Sequence, residues 1–421
     1  MSVKEATKTI AVNVDRLTKR LETLSSFTEP DKPWQRTAFS SMHLSARKWL
    51  REEMQALDLD TRIDAGGNLI GRLHGMSNGL ALLASGSHID TVPSGGRLDG
   101  ALGVIAALEV VSALRDAGYR LRHPFEVIDF LAEEPNQYGL SCIGSRAMAG
   151  ELTAENLGFT APDGTTLAEG IRLMGGDPDK LTIPLRRQGD MAGFVEIHIE
   201  QGRVLESAEE DIGVVTAIVG ITRIAVDVDG RADHSGATPM GLRKDALVAA
   251  SKMIAAFEAQ AKQEFYSPMV ATVGKLEIFP NASNVVPGKV SFVLEIRSGQ
   301  PTTLGQYQKW ADWKIRDIAG EQGVSVRMRI LGKSDAVAMD TDLQLAISDA
   351  ASAAGLKYRS MPSGAGHDAA HVALFAPAGM IFIPCLDGRS HCPEEFSTPE
   401  QIAKGVQNLV DAIIALDARD A

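Results

Sequence analysis

The chain has 421 residues, 44% of them hydrophobic, and a formal net charge of −12. That length can bury a core in more than one domain, and the acidic balance excludes a nucleic-acid binder, which needs a basic patch or stripe. No apolar run approaches the ~18 residues of a membrane span, so no membrane partner is expected. The polar start MSVKEATKTIAVNVDRL lacks a signal peptide's apolar core, and a cytoplasmic location follows as the default expectation.

Val12 to Leu57 reads as helical with a polar face, and strand-like and helical stretches then alternate. GNLIGRL and ALLASGSHI read as strands, and GALGVIAALEVVSALRDAG as a helix stopped by Gly118. FEVIDFLAEEP and FVEIHIEQG are strands ending in polar residues. Such alternation predicts an α/β domain with a central sheet.

The pattern changes near Gly220. TRIAVDVDG, KDALVAASKMIAAFEAQAKQ, MVATVGKLEIFP, GKVSFVLEIRS, TLGQYQKWADWKIRDIAGEQG and VSVRMRIL give the order β-α-β-β-α-β. This is a ferredoxin-like unit inserted at 219–332. The α/β pattern resumes with helix LQLAISDAASAAG and strand AGMIFIP, so 1–218 and 333–421 form one interrupted domain. Cys142, Cys385 and Cys392 show no paired spacing and read as buried free thiols.

Five groups fall at strand ends or in the loops that follow, where α/β sheets gather ligands. His88 ends one strand, and Asp90, two residues on, shares its face. The Asp90 carboxylate could then orient the imidazole through its second nitrogen. Asp99 sits in a glycine-rich loop before a helix, where a helix cap is the plainer reading. A phosphate loop is excluded, because neither GxxxxGK[ST] nor GxGxxG is present. Glu133 and Glu134 end a strand and point to opposite sides, so one suits a metal and the other a base. His198 ends another strand with Glu196 and Glu200 on its face, and His391 lies in the loop DGRSHCPEEFS. His43, His74 and His123 read as structural. Three imidazoles with two carboxylates suit two divalent ions bridged by one carboxylate, zinc first, with manganese, cobalt or nickel as alternatives.

The stretches GSHIDTVPSGGRLDGALG, AEEPNQYGLSCIGSRAMAG, VEIHIEQG, GRADHSGATPM, MPSGAGHDAAH and DGRSHCPEE together resemble the M20-type amidohydrolases. The branch is that of N-carbamoyl-L-amino-acid hydrolases, allantoate amidohydrolases and β-ureidopropionases, and the motifs cover most of the chain. The resemblance implies a metallopeptidase-like catalytic domain with a mixed sheet and an inserted lid that also dimerises. It implies Asp99 as the metal bridge, His88 and His198 on one ion, and Glu134 and His391 on the other. Glu133 becomes the general base, and His234 a lid histidine supplied by the second subunit of a homodimer. Gln201, Asn284, Arg297, Gly364 and Gly366 become substrate contacts.

The implied reaction removes the carbamoyl group of an N-carbamoyl-L-amino acid to give the amino acid, ammonia and carbon dioxide. A planar cation such as Arg297 suits the substrate's α-carboxylate. Ile221 and Thr222 stand where the allantoate branch carries Gln-Arg, which tilts the reading toward a less polar substrate. Allantoate, N-carbamoyl-β-alanine and, further off, dipeptides or N-acyl amino acids are the alternatives.

Overall fold

The computed structural model describes residues 10–419, apart from 78, 264, 266 and 267. Residues 1–9 of the polar start MSVKEATKTIAVNVDRL therefore lie outside the described residues. Contacts divide the chain into two compact units, 1–216 with 339–361 and 366–421, and 217–338 with 362–365.

Thirteen strands are present among the described residues: β1 (Asp60–Ile63), β2 (Leu69–Leu73), β3 (Leu82–His88), β4 (Phe125–Phe130), β5 (Met191–Ile199), β6 (Ile212–Ile218), β7 (Gly220–Asp229), β8 (Met269–Phe279), β9 (Lys289–Ser298), β10 (Ser325–Ser334), β11 (Val337–Ala338), β12 (Tyr358–Ser363) and β13 (Ala378–Ile383). One sheet runs β1-β2-β4-β3-β5-β13-β6-β11, with β12 beside β6. Its four central strands, β4, β3, β5 and β13, are parallel, and their neighbours β2 and β6 are antiparallel to them. The sheet is thus mixed, and its parallel heart opens the carboxyl ends of four strands to one edge.

Burial on both faces explains the sequence of the centre. β3, β4 and β13 are buried along their whole length; β13 and β3 up to His88 read as small or apolar runs, whereas β4 also buries Glu126 and Asp129, which are paired with arginines. Gly86 is required here, because a Cβ at that position would lie 1.9 Å from the carbonyl oxygen of Ile128 on β4. Helix Ala101–Ala117 links β3 to β4 and is buried from Ala101 through Leu114, so it lacks a polar face for most of its length. Gly118 ends it at φ 69°, a left-handed cap that favours glycine.

The N-terminal region is not one continuous helical stretch. Helices Val14–Ser26 and Ser41–Ala56 are separated by a loop holding Pro30 and Pro33, which cannot donate to a helix. That loop carries Arg36, a fully buried guanidinium that donates to the carbonyls of Ile89, Leu24 and Phe27. It ties the loop to the chain just beyond β3.

The second unit runs β7, helix Ala246–Ala261, β8, β9, helix Pro301–Gln322, β10, in an antiparallel sheet of order β10-β7-β9-β8. Its strands alternate, as one-sided burial requires. Ile224, Val226 and Val228 of β7, and Leu294 and Ile296 of β9, pack with Met253, Phe257, Tyr307 and Ile315 of the helices. Cys142, Cys385 and Cys392 are free. Cys392 is only half-buried, because it lies in the exposed loop beside His391. No described helix is long and apolar enough to cross a membrane.

Candidate metal centre

All four parallel strands deliver a donor at or just beyond their carboxyl ends. His88 is the last residue of β3, and His198 the penultimate residue of β5. Glu133 and Glu134 lie three and four residues past β4, after Ala132 has turned the chain at φ 53°. They do not end the strand itself, and both are buried in the turn that follows. His391 lies in the loop after β13, at φ 55°.

Asp99 sits where these donors converge. Its Oδ1 is 3.5 Å from His88 Nε2 and 3.3 Å from His198 Nε2. Its Oδ2 is 3.3 Å from His391 Nε2, which in turn is 3.4 Å from Glu134 Oε1. The ligand atoms of His88, Asp99 and His198 lie within 4.8 Å of one another, as do those of Asp99, Glu134 and His391. One carboxylate therefore offers an oxygen to each of two donor sets. The helix-cap reading of Asp99 does not hold: Gly100 is the cap residue and no side chain caps the helix.

The imidazoles are held in the tautomer a ligand needs. His88 Nδ1 donates to the backbone carbonyl of Asp90 at 3.0 Å, and His198 Nδ1 to that of Ile199 at 2.9 Å. In each neutral ring the lone pair is then on Nε2; that of His198 accepts the N–H of Gly100 at 3.0 Å, and both Nε2 atoms lie near Asp99. This corrects the expected role of Asp90. Its carboxylate stands 3.7 Å from His88 Nδ1 and instead accepts the backbone N–H groups of Glu133 and Glu134 at 3.3 and 3.1 Å. Asp90 thus orients His88 with its carbonyl and the Glu133–Glu134 turn with its side chain.

The field of the cluster is strongly negative. Burial opposes charge on His88 and His198, but Asp99 and neighbouring carboxylates outweigh it and raise both pKa values, that of His88 well above the ordinary range. A hydrogen bond to Asp99 lifts His391 to about 9. Burial and then Asp99 push Glu134 up to about 7, while burial and the charges of Glu134, Asp368 and Asp99 push Glu133 well above its usual value. Asp99 stays well below its own, since His198, His391 and His88 together outweigh its burial.

A divalent pair fits this arrangement. Glu134 Oε1 is buried without a hydrogen-bond partner, an orphan acceptor within the second donor set. Oxygen and imidazole donors at these spacings suit zinc and its neighbours in the first transition row.

Gln201 lies against the bridge. Its Nε2 donates to Asp99 Oδ2 at 2.7 Å, and its Oε1 is buried without a partner. Glu196 accepts Ser87 Oγ at 2.6 Å and the N–H of Ala369 at 3.0 Å, and Glu200 caps the chain at Val204 and Leu205. Three residues outside the two donor sets also reach the cluster. The His367 ring packs edge-on against His198 with centroids 4.6 Å apart, Cys142 Sγ lies 3.4 Å from Glu133 Oε1, and Glu395 accepts the N–H of Asp99. His367 and Glu395 belong to MPSGAGHDAAH and DGRSHCPEE, two of the stretches that carry the family resemblance, but no spacing rule picks them out.

The remaining candidates belong to the second unit, except Gly366. His234 Nδ1 accepts the N–H groups of Gly236 and Ala237 at 3.1 and 3.2 Å, which leaves the ring proton on Nε2 as an outward donor. A β-bridge from His234 to Val285 and a bond from Ser235 N–H to the carbonyl of Asn284 join the two loops that carry His234 and Asn284. Arg297 donates from Nε and Nη2 to Glu295 Oε1, both at 2.8 Å, and from Nη1 to the carbonyl of Gly364 at 2.8 Å. Ile221 lies directly opposite Arg297 in the β7–β9 register. Thr222 points to the other, fully buried face, so only Ile221 of that pair shares a surface with Arg297.

Residues 84–415, a span holding all five donors, match a single family model. The chain belongs to peptidase family M20/M25/M40. The chain is 36% identical to an N-carbamoyl-L-amino-acid amidohydrolase of Paenarthrobacter aurescens, over 96% of this chain and 98% of that protein. To an allantoate amidohydrolase of Escherichia coli it is 35% identical, over 92% and 94%. A crystal structure of an amidase of the hydantoinase/carbamoylase family from Burkholderia multivorans matches with a TM-score of 0.92 at 32% identity, over 98% of this chain and all of that one. Within this metal-dependent hydrolase family, the two donor sets stand at the residues the motifs single out.

Proposed function

We propose that the protein is an amidohydrolase that cleaves the carbamoyl C–N bond of N-carbamoyl-L-amino acids, using two divalent ions held by His88, Asp99 and His198 and by Asp99, Glu134 and His391. The observation that carries the reading is the division of Asp99, with Oδ1 toward two imidazoles and Oδ2 toward His391. A single-metal or purely structural carboxylate has no need of two imidazole-lined sides. When bound, such ions polarise the ureido carbonyl and lower the pKa of water.

The chain's own groups supply the rest. Glu133, buried beside His88 but in neither donor set, takes a proton from the attacking water and returns it to the leaving nitrogen. His234 presents Nε2–H to the oxyanion, a contact worth a few kcal/mol when well placed. Arg297 binds the α-carboxylate, with Asn284, Gln201 and the backbone at Gly364 and Gly366 as further contacts. The ferredoxin-like insert acts as lid and dimer contact, so that His234 serves the partner's site in a homodimer. Net, one water and one ureido acid give an amino acid, ammonia and carbon dioxide.

Identities of 36% and 35% to the two relatives do not separate their substrates. The face around Arg297 favours the carbamoyl amino acid, since Ile221 opposite it is apolar. The test is ammonia release by zinc- or manganese-loaded protein from N-carbamoyl-L-amino acids, allantoate, N-carbamoyl-β-alanine, N-acetyl amino acids and dipeptides. Fastest turnover is expected on the first class. Cleavage of dipeptides alone would overturn the reading, and preference for allantoate would move the protein to that branch.

A further inference from the structure

A carboxyl group that belongs to neither donor set lies beneath the residue they share. Glu395 has no solvent exposure. Its Oε1 accepts the backbone N–H of Leu98 at 2.7 Å and of Asp99 at 3.0 Å. Its Oε2 is 2.9 Å from Ser390 Oγ, and the same hydroxyl is 2.6 Å from Asp99 Oδ2. Glu395 therefore grips Asp99 directly at the backbone, and its Oε2 and Asp99 Oδ2 share the one hydroxyl of Ser390. Ser390 also precedes His391, so the grip reaches the loop that delivers the second donor set.

The surrounding chain is shaped for this group. A Cβ on Gly96 would lie 2.0 Å from the Glu395 carboxyl carbon, so only glycine lets the loop before Asp99 close around it. Among the described residues, the hydrogen bonds of this side chain all go to Leu98, Asp99 and Ser390, none to the sheet or to the helices of the core.

We propose that Glu395 is the positioning residue of the shared carboxylate, and that through Asp99 it sets the affinity of both metal positions together. The inference rests on the dinuclear reading given above. A bridging carboxylate must serve two ions at once, so a rotation that improves one distance worsens the other. Glu395 fixes the Asp99 backbone, and Ser390, together with Gln201, holds Oδ2. Without that grip, both donor sets lose the ligand they share.

Zinc titration of chelator-stripped protein against a chromophoric competitor, with elemental analysis for stoichiometry, tests it. Wild-type protein is expected to take about two ions per chain. Glu395→Ala is expected to weaken both by about 10- to 100-fold, the range for lost outer contacts to metal ligands. Glu395→Gln should stay within a few-fold of wild type, since its oxygen can accept the two N–H groups and its amide can donate to Ser390. A merely structural role would lower the melting temperature of stripped Glu395→Ala and leave zinc affinity unchanged, which would overturn the proposal, as would weakening of one ion alone. Should Glu395→Ala fail to fold, Ser390→Ala removes only the hydroxyl link and is expected to weaken zinc several-fold; unchanged affinity there also overturns it. Wild-type protein that bound no zinc would instead defeat the dinuclear reading itself.

Discussion

Glu133 lies 3.6 Å from His88 Nε2, yet it completes neither donor set. Removing its charge should therefore spare the metals and stop the chemistry. Glu133→Gln is expected to keep the metal content of wild type and to lose turnover by about 10²- to 10⁴-fold, the usual contribution of a positioned general base. Retained activity would show that the proton goes elsewhere. A second argument at this scale concerns Arg297. Of its five N–H donors, two go to Glu295 and one to Gly364. One donor on each terminal nitrogen remains, a pair suited to a carboxylate. Arg297→Ala is expected to raise KM for an N-carbamoyl amino acid by about 10- to 100-fold, from the 1.5–3 kcal/mol typical of hydrogen bonds to charged groups. Glu295→Ala should raise KM less, because the guanidinium stays but its orientation is lost. The same KM rise for the amide of the substrate, which lacks the carboxylate, would argue against this assignment.

The helix that follows Asp99 shows how an element sets the centre. Its cap, Gly100, adopts φ 64°, and a Cβ there would lie 2.3 Å from His88 Nε2. Gly100→Ala should therefore displace a ligand without touching a ligand residue. The expected outcome is zinc affinity lowered by at least about tenfold, with the far-ultraviolet dichroism of wild type; unchanged affinity would show that the loop absorbs the methyl. This element also shows what the sequence could tell. Apolar runs marked β3 and β13, because strands buried on both faces have no reason to alternate, while β4 and β5 bury Glu126, Asp129, Glu196 and His198 among their apolar residues. The position of the donors followed, since strand ends in a parallel sheet share one edge. The link from His88 to Asp90 was harder. Spacing of two residues placed both on one face, but the bond runs to the carbonyl because the Asp90 carboxylate is drawn to two N–H groups of a turn 43 and 44 residues away. The grip of Glu395 on Asp99 spans 296 residues, and no local period encodes such a contact. The break between the first two helices was legible only as two prolines, since both sides share the same polar-faced pattern.

On the scale of the whole molecule, the five donors run from His88 to His391, so the metal centre joins distant parts of the chain within one compact unit. The other unit has its own core, built on Phe257, Phe292, Leu294 and Tyr307, and none of the five donors. Metal binding should therefore stabilise one unit and not the other. Ions that bind only the folded state add about 2.7 kcal/mol at a hundredfold excess over Kd. For a large domain, where each kcal/mol moves Tm by about 2–4 °C, this comes to about 5–10 °C. Calorimetry of metal-loaded and chelator-treated protein is expected to resolve two transitions, with chelation lowering only one. Chymotryptic fragments recovered between the two transitions should come from the donor-bearing unit in the chelated sample, since that unit then opens first. A single transition that shifted as a whole would mean that the two cores unfold together, and two transitions that both held still would mean that the five donors bind no ion.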